Sequence, residues 1–186
     1  MIQNPNDLQL IPLSNEHLEM VRKWRNMPEI SQHMFNEDDI SEGQQIEWFK
    51  KAENDPGQAH WVIQYKDEFA GLVSLQSINQ KFNSCSWGFY IGNLKLRGEG
   101  VGYKALYRLL IKVFDEMNFN KINSEVLNDN QLSIKFHETL GFRREGYYRE
   151  HILKNDTYID VVALGYLKRE WELLKDSLYI KIYDKN

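Results

Sequence analysis

Arg97-Gly98-Glu99-Gly100-Val101-Gly102 is the most informative stretch of this sequence. Three glycines within five positions allow the backbone to bend so that successive N–H groups point into one concavity. The apolar residues that follow are spaced as on one face of a helix. The first turn of such a helix adds unpaired N–H donors and the positive end of the helix dipole. The stretch therefore predicts a loop that binds phosphate or pyrophosphate groups.

Several kinds of phosphate-binding loop compete for this stretch. A Walker loop requires Lys-Ser or Lys-Thr after its last glycine, and Tyr103-Lys104 stands there instead. The spacing fits a permissive dinucleotide pattern, but such a loop directly follows a buried strand, and residues 92–97 intervene here. Arg97, Gly100 and Gly102 match Gln/Arg-x-x-Gly-x-Gly/Ala, and this resembles the acyl-CoA loop of the GCN5-related N-acetyltransferases (GNATs). An ordinary glycine-rich turn is the remaining alternative.

Composition limits the class of protein. The chain has 186 residues, 42% hydrophobic and 27% charged, which is typical of one globular domain. A net charge of −4 without a long Lys/Arg run argues against nucleic acid as a partner. The single cysteine, Cys85, fits a reducing compartment, and the histidines lack metal-ligand spacing. With neither a leader nor an apolar run of roughly 18 residues, we expect a cytoplasmic protein without a metal or a membrane anchor.

Hydrophobic periodicity and turn residues predict the order β-α-α-β-β-β-α-β-α-β-β. Helices are expected after Ser14, after Ser41 with a capping box to Gln44, after the glycine loop, and after Asn130. A short helical turn is expected over 30–34. Strands are predicted over 8–13, 61–65, 69–77, 85–91, 121–127, 145–153 and 158–167. This order predicts a mixed sheet with helices on both faces, in a single domain of residues 1–186.

A second motif supports the GNAT resemblance independently. Asn130-x-x-Ser133-Ile134-x-Phe136-His137-x-x-x-Gly141-Phe142 resembles the signature Asn-x-x-Ala/Ser-x-x-x-Tyr-x-x-x-Gly-Phe of that family. With both motifs and the element order, the chain is identified as a member of the GNAT superfamily. The resemblance implies an N-acetyltransferase that uses acetyl-CoA. It also implies an α/β (α+β) fold, with a mixed, mostly antiparallel sheet of about seven strands flanked by four helices.

The resemblance assigns cofactor contacts by position. The backbone of Phe89, Tyr90 and Ile91 is expected to pair with the pantetheine arm and to present an N–H to the thioester carbonyl. Asn130 is expected to hydrogen-bond the same arm. The other implied cofactor contacts are Phe136 and the loop residues Arg97, Gly98, Glu99, Gly100, Val101, Gly102 and Tyr103.

The acid and the base of the reaction are less evident. His137 stands where the family usually has a tyrosine that protonates the departing CoA thiolate. A leaving thiol with a pKa near ~8.5 is matched better by a tyrosine at ~10 than by an imidazolium at ~6.5. His137 is therefore either the acid, as a neutral N–H or with a raised pKa, or a packing residue beside the sulfur. The strand over 85–91 has no carboxylate, so Glu125, or a water held by Ser86 or Tyr90, is left as the base.

Two segments indicate the acceptor. They are Lys23-Trp24-Arg25-Asn26-Met27-Pro28-Glu29-Ile30 and the tail over 151–162, with the pattern His-Ile-x-Lys-Asn-x-x-Tyr-x-Asp-Val-Val. Together they resemble the N-acetyltransferases of bacterial pseudaminic acid synthesis, which acetylate the 4-amine of a UDP-linked 4-amino-4,6-dideoxy sugar. The Trp-Arg-Asn element also occurs in ribosomal-protein N-terminal and polyamine acetyltransferases. Those two activities remain the alternative.

The resemblance to the sugar enzymes suggests three acceptor contacts. Arg25 is assigned to the diphosphate, because a guanidinium binds phosphate in a bidentate way, with a surface salt bridge to Glu29 as the alternative. Gln45 takes the place of a histidine that some of these enzymes carry. Tyr90 is assigned to the sugar. A CoA-binding module without catalysis, and a homodimer, also remain open.

Overall fold

A seven-stranded sheet forms the centre of the molecule in the computed structural model, which describes residues 7–184. Its strand order is β1-β2-β3-β4-β5-β7-β6, antiparallel except for the parallel pair β4 and β5. The strands are β1 (Leu8–Pro12), β2 (Ala59–Tyr65), β3 (Glu68–Asn79), β4 (Ser84–Ile91), β5 (Lys121–Leu127), β6 (Arg143–Lys154) and β7 (Thr157–Leu167). Each predicted strand is present, and the predicted bounds of β5 are confirmed at both ends.

Six α-helices lie within residues 7–184 and cover both faces of the sheet. They are α1 (Leu18–Arg25), α2 (Pro28–Ser31), α3 (Glu42–Glu53), α4 (Val101–Leu110), α5 (Gln131–Thr139) and α6 (Lys168–Tyr183). On one face, α4, α5 and α6 bury apolar side chains in the main core. On the other face, α1 packs Val21 against Val62 and Leu72, and α3 lies on α1. The expected mixed sheet with helices on both faces is confirmed.

The helix after the glycine loop is the most deeply buried. Val101, Ala105, Leu109 and Val113 are each at most 1% exposed, as their spacing predicts. Beyond Leu110 the chain continues for six residues as a π-helical segment, Ile111–Glu116. Burial of this stripe fixes the start of α4, and hence the glycine loop, against the sheet.

The C-terminal helix α6 was absent from the expected order. Its Trp171 is fully buried and donates from Nε1 to Oδ1 of Asp115 at 3.0 Å. Leu178 and Ile182 are buried seven and eleven residues further on, which is a helical spacing. The helical spacing of these apolar residues was therefore visible in the sequence. With α6 and the short α2, six helices within residues 7–184 flank the sheet and not the four that were expected.

The parallel strands β4 and β5 separate along their length. Their pairing is limited to Ser84 with Lys121, Cys85 with Ile122, and Ser86 with Asn123. Beyond these pairs, β4 continues to pair with β3, while β5 pairs with β7 over its whole length. The sheet consequently opens between the two strands from residue 87 onward.

Candidate active site

A cavity of about 850 Å³ occupies the opening between β4 and β5. It extends over the glycine loop, the first turns of α4 and α5, and the segment around α2. Its lining includes most of the predicted cofactor contacts: Phe89, Tyr90, Ile91, Arg97, Gly98, Gly100, Val101, Gly102, Tyr103, Asn130 and Phe136. Glu99, which was also predicted, lines a smaller cavity on the other side of the loop together with Tyr65 and Lys95.

The β4 backbone supplies one polar wall of this cavity. From Trp87 to Ile91 the strand bonds β3 along one edge, while the opposite edge has parted from β5. Unpaired N–H and C=O groups along a strand edge accept another extended chain as a further strand. The amides of the pantetheine arm of CoA have that shape and polarity. This edge therefore fits the predicted pantetheine contact.

The glycine loop adopts the backbone that its glycines permit. Gly98 has φ +87° and Gly100 has φ +78°, which side-chain-bearing residues rarely adopt. Gly100 ends the loop as the N-cap of α4, and the first bond of the helix joins the Lys104 amide to the Gly100 carbonyl at 3.2 Å. The amides of Val101, Gly102 and Tyr103 come before Lys104 in the first turn of the helix. They have no carbonyl partner within the helix and are therefore available to bind an anion.

Arg97 connects this loop to α2. Its Nη2 donates to the Glu29 carbonyl at 3.1 Å, while the side chain stays exposed. At the start of α5, Oδ1 of Asn130 accepts from the Ser133 amide at 3.1 Å. Because that oxygen is used as a helix cap, Nδ2 is the group of Asn130 that remains to donate to a ligand.

His137 lies in an aromatic enclosure at the inner end of the cavity and is 2% exposed. Its ring centroid is 5.2 Å from that of Trp87 and 5.1 Å from that of Phe142. Nδ1 is 2.7 Å from the Ser133 carbonyl, which accepts but cannot donate, so the ring proton is on Nδ1. Burial lowers the pKa of His137 to about 4, although the bond to Ser133 acts in the opposite direction.

This environment does not suit His137 for the role of acid. The ring is neutral near pH 7, its proton faces Ser133, and Nε2 carries a lone pair instead of a hydrogen. Within residues 7–184, Nε2 has no hydrogen-bond partner. The geometry thus favours the alternative in which His137 packs in the aromatic enclosure and accepts hydrogen bonds.

Two side chains near the reacting position are candidates for proton removal. Glu125 on β5 is exposed, and both it and Ser86 on β4 line the cavity. Tyr90 differs from the expectation that it holds a water, because its hydroxyl donates to the Val21 carbonyl at 3.4 Å. Burial raises the pKa of Tyr90, and the nearby Arg25 acts in the opposite direction. The Tyr90 side chain therefore packs on α1, and its backbone is the part that belongs to the β4 edge.

Arg25 and Gln45 do not line the cavity. Arg25 donates from Nη2 to the Asn36 carbonyl instead of pairing with Glu29, and Nη1 has no partner among the described residues. Gln45 is 4% exposed, because α3 turns it inward. The structure thus corrects the expected placement of Gln45 at the substrate.

Residues after α1 form a second wall of the cavity, and of these Ile30 belonged to the expected acceptor segment, but neither His33 nor Phe35 was singled out from the sequence. Ile30, His33, Met34 and Phe35 line it from α2 and the turn that follows, and we call them the α2 wall. Phe35 is 41% exposed, so its ring is accessible to a ligand in the cavity. The pattern Ile-x-x-His-Met-Phe after Pro28 was the available signal.

Residues 7–143 match the family described as the acetyltransferase (GNAT) domain. The chain belongs to the GNAT family. Acetyltransferases of this family take the acetyl group from acetyl-CoA.

Relatives of the chain carry the names of different acetyltransferases. It is 29% identical over 108 residues to a putative ribosomal N-acetyltransferase, YdaF, of Bacillus subtilis, covering 58% of each protein. It is 26% identical over 127 residues to the acetyltransferase PseH of Campylobacter jejuni, covering 68% of this chain and 76% of that protein. The chain spans less than two thirds of the length of the first relatives that it matches, 63% and 58%.

A solved structure extends the comparison to the whole fold. It is a spermidine N-acetyltransferase from Vibrio cholerae in complex with CoA and spermine, 25% identical, with a TM-score of 0.84. The match covers 90% of this chain and 99% of that one. Between residues 7 and 184, this chain has no helix that is long and apolar enough to cross a membrane.

Proposed function

We propose that this protein transfers the acetyl group of acetyl-CoA to a primary amine by direct attack of the amine on the thioester. Acetyl-CoA supplies the electrophilic carbonyl. The β4 edge orients the pantetheine arm, and one of its N–H groups stabilises the charge that develops on the carbonyl oxygen. The amides at the start of α4 hold the pyrophosphate. Glu125, directly or through a water on Ser86, removes the proton from the amine. The new C–N bond replaces the C–S bond, and CoA leaves as a thiolate that takes its proton from water.

We infer that the acceptor is the 4-amine of a UDP-linked amino-dideoxy sugar of the pseudaminic acid type. The observation that carries this choice is the α2 wall. Met34 and the exposed Phe35 offer apolar and aromatic surface, which suits a 6-deoxy sugar and a uracil ring, while Ile30 is buried behind them. The relationship to the acetyltransferase PseH supports the same choice.

A polyamine is the second candidate, and a specific observation favours it. Both carboxylates that line the cavity, Glu29 and Glu125, lie where a cationic chain gains electrostatic attraction. The solved relative from Vibrio cholerae carries spermine in its structure. A polyamine has no ring for Phe35 to contact, so the two candidates differ in how they use the α2 wall.

Turnover of a panel of amines distinguishes these candidates. With acetyl-CoA present, we expect saturable acetylation of the UDP-4-amino sugar, with kcat/KM at least about tenfold above those for spermidine and a ribosomal-protein N-terminal peptide. The same UDP sugar with its 4-amine already acetylated is the control and should release no free CoA thiol. Preferential turnover of spermidine would show that the acceptor is a polyamine and not the UDP sugar. Absence of turnover with every amine would favour a CoA-binding module without catalysis.

We also propose that Arg25 contacts the acceptor diphosphate, which requires its side chain to leave the Asn36 carbonyl and turn toward the cavity, because Nη1 is buried and without a partner within residues 7–184. Arg25→Ala should then weaken binding of the UDP sugar by roughly 2 kcal/mol, the scale of a hydrogen bond to a charged group. Binding of spermidine, measured in the same way, should change little because it has no phosphate. If Arg25→Ala weakened the binding of both acceptors equally, Arg25 would act by holding the Asn36 carbonyl and not by contacting the diphosphate.

A further inference from the structure

The α2 wall is held from outside by a lysine on a distant strand. Lys154 ends β6, about 120 residues from the wall in sequence, yet its Nζ donates to the carbonyls of Gln32 at 2.5 Å and Met34 at 3.1 Å. The carboxylate of Glu37 lies 3.2 Å from the same nitrogen. These acceptors flank His33 and Met34, which line the cavity.

The burial of Lys154 indicates that this contact is well ordered. Its side chain is 8% exposed, although it lies at the end of a strand, β6, whose other side chains are mostly exposed. A buried ammonium is stable only when its hydrogens are satisfied, and here two carbonyls and a carboxylate satisfy all three. A charged donor makes stronger hydrogen bonds to backbone carbonyls than a neutral one does.

The wall has little structure of its own to keep its shape. The helix α2 has four residues, and the residues that follow it to position 41 contain neither helix nor strand. Apart from Lys154, side chains bind the segment at the Glu29 carbonyl (Arg97), at the Asn36 carbonyl (Arg25) and at the Ile40 backbone (Arg22 and Asn26). Lys154 acts between them, on the part that faces the cavity.

We propose that Lys154 is a positioning residue that sets the shape of the acceptor pocket by holding the backbone of residues 32–34. The proposal rests on the proposed function in one respect, that the α2 wall faces the acceptor. Lys154 does not touch the acceptor itself. Its effect is on how well His33, Met34 and Phe35 are placed for the amine substrate.

Lys154→Met tests the proposal. With the amine that the wild type acetylates best, we expect KM for the amine to rise about tenfold, because a small displacement of a substrate-positioning wall has effects of this order. The dissociation constant for CoA, measured by calorimetry, should stay within about twofold, and Lys154→Arg should restore most of the loss. Lys51→Met is the matched control, since Lys51 is an exposed lysine that pairs with Glu47 on α3.

Glu37→Gln separates positioning from direct binding. If Lys154 holds the wall, loss of the Glu37 charge loosens it, and the acceptor KM rises by a few fold. If Lys154 were instead an anion ligand, the same change would free its charge, and KM for a UDP sugar would fall. A fall, or an unchanged KM in Lys154→Met, overturns the proposal.

Hydrogen exchange tests the same contact without any substrate. Amides of residues 32–37 should exchange faster in Lys154→Met than in the wild type, while those of α4 keep their rates. Equal exchange over 32–37 in both proteins overturns the proposal, even where no amine substrate has been found. If no amine in the panel is acetylated, in contrast, the proposed function is overturned, but the hydrogen-exchange comparison still tests the role of Lys154.

Discussion

Gly100→Val should weaken CoA binding by on the order of a hundredfold. Gly100 has φ +78°, and a β-branched residue at that angle strains the backbone by several times RT. The strain is relieved by turning the peptide groups at the start of α4, which are the donors that the pyrophosphate requires. Isothermal titration with CoA measures the loss directly.

Gly43→Val is the control for this substitution. Gly43 lies in the first turn of α3, its φ is not positive, and an added Cβ there meets nothing within 4 Å. The position of Gly100 is equally open to a Cβ, so the two variants differ in backbone strain and not in steric room. Full CoA affinity in Gly100→Val would contradict the loop assignment, and tight binding of NAD in place of CoA would favour the dinucleotide interpretation.

Features that depend on neighbouring residues could be predicted from the sequence. The apolar stripe of α4, the capping box at Ser41 and the bounds of β5 are determined within a few residues, and all three were predicted correctly. The glycine loop is of the same kind, because its conformation follows from the glycines themselves. The helix α6 has an equally local apolar pattern around Trp171 and Leu178 and could have been predicted in the same way.

Features that depend on distant contacts could not be predicted in this way. The approach of Lys154 to Met34 arises from the packing of the β6–β7 hairpin against the segment after α2, and no local pattern records it. The inward turn of Gln45 depends in the same way on how α3 lies on α1. A sequence motif names the residue type at such positions but not the group that the residue faces.

His137 illustrates the limit most clearly. Its place in the second motif indicated a role beside the cofactor, but its protonation state depends on Trp87 and Phe142, which come from other parts of the fold. The same burial that makes His137 unsuitable as an acid gives it a large effect on stability. That effect is measurable without knowledge of the substrate.

Acidification should therefore destabilise the protein well above the pH at which carboxylates titrate. The imidazole has a pKa of 6.5 in a model peptide, and burial lowers it to about 4 in the folded chain. Between these values the unfolded state binds a proton that the folded state does not, so the free energy of unfolding falls as the pH falls. The loss from His137 over this window is about 3 kcal/mol. Urea unfolding at pH 7 and at pH 4.5 measures most of it.

The contribution of His137 is isolated by comparing two variants. His137→Phe removes the titrating ring from an enclosure already lined by aromatic side chains, so most of the difference in unfolding free energy between pH 7 and pH 4.5 should disappear. Phe142→Leu loosens the same enclosure without removing a titrating group, so it should lower stability at both pH values and keep a pH dependence. Burial also lowers the pKa of His60, so the unfolding free energy of His137→Phe should still depend on pH, but less steeply. If His137→Phe retained the full pH dependence, the pKa of His137 would have to be nearly the same in the folded and unfolded states, and its role as the acid would be open again.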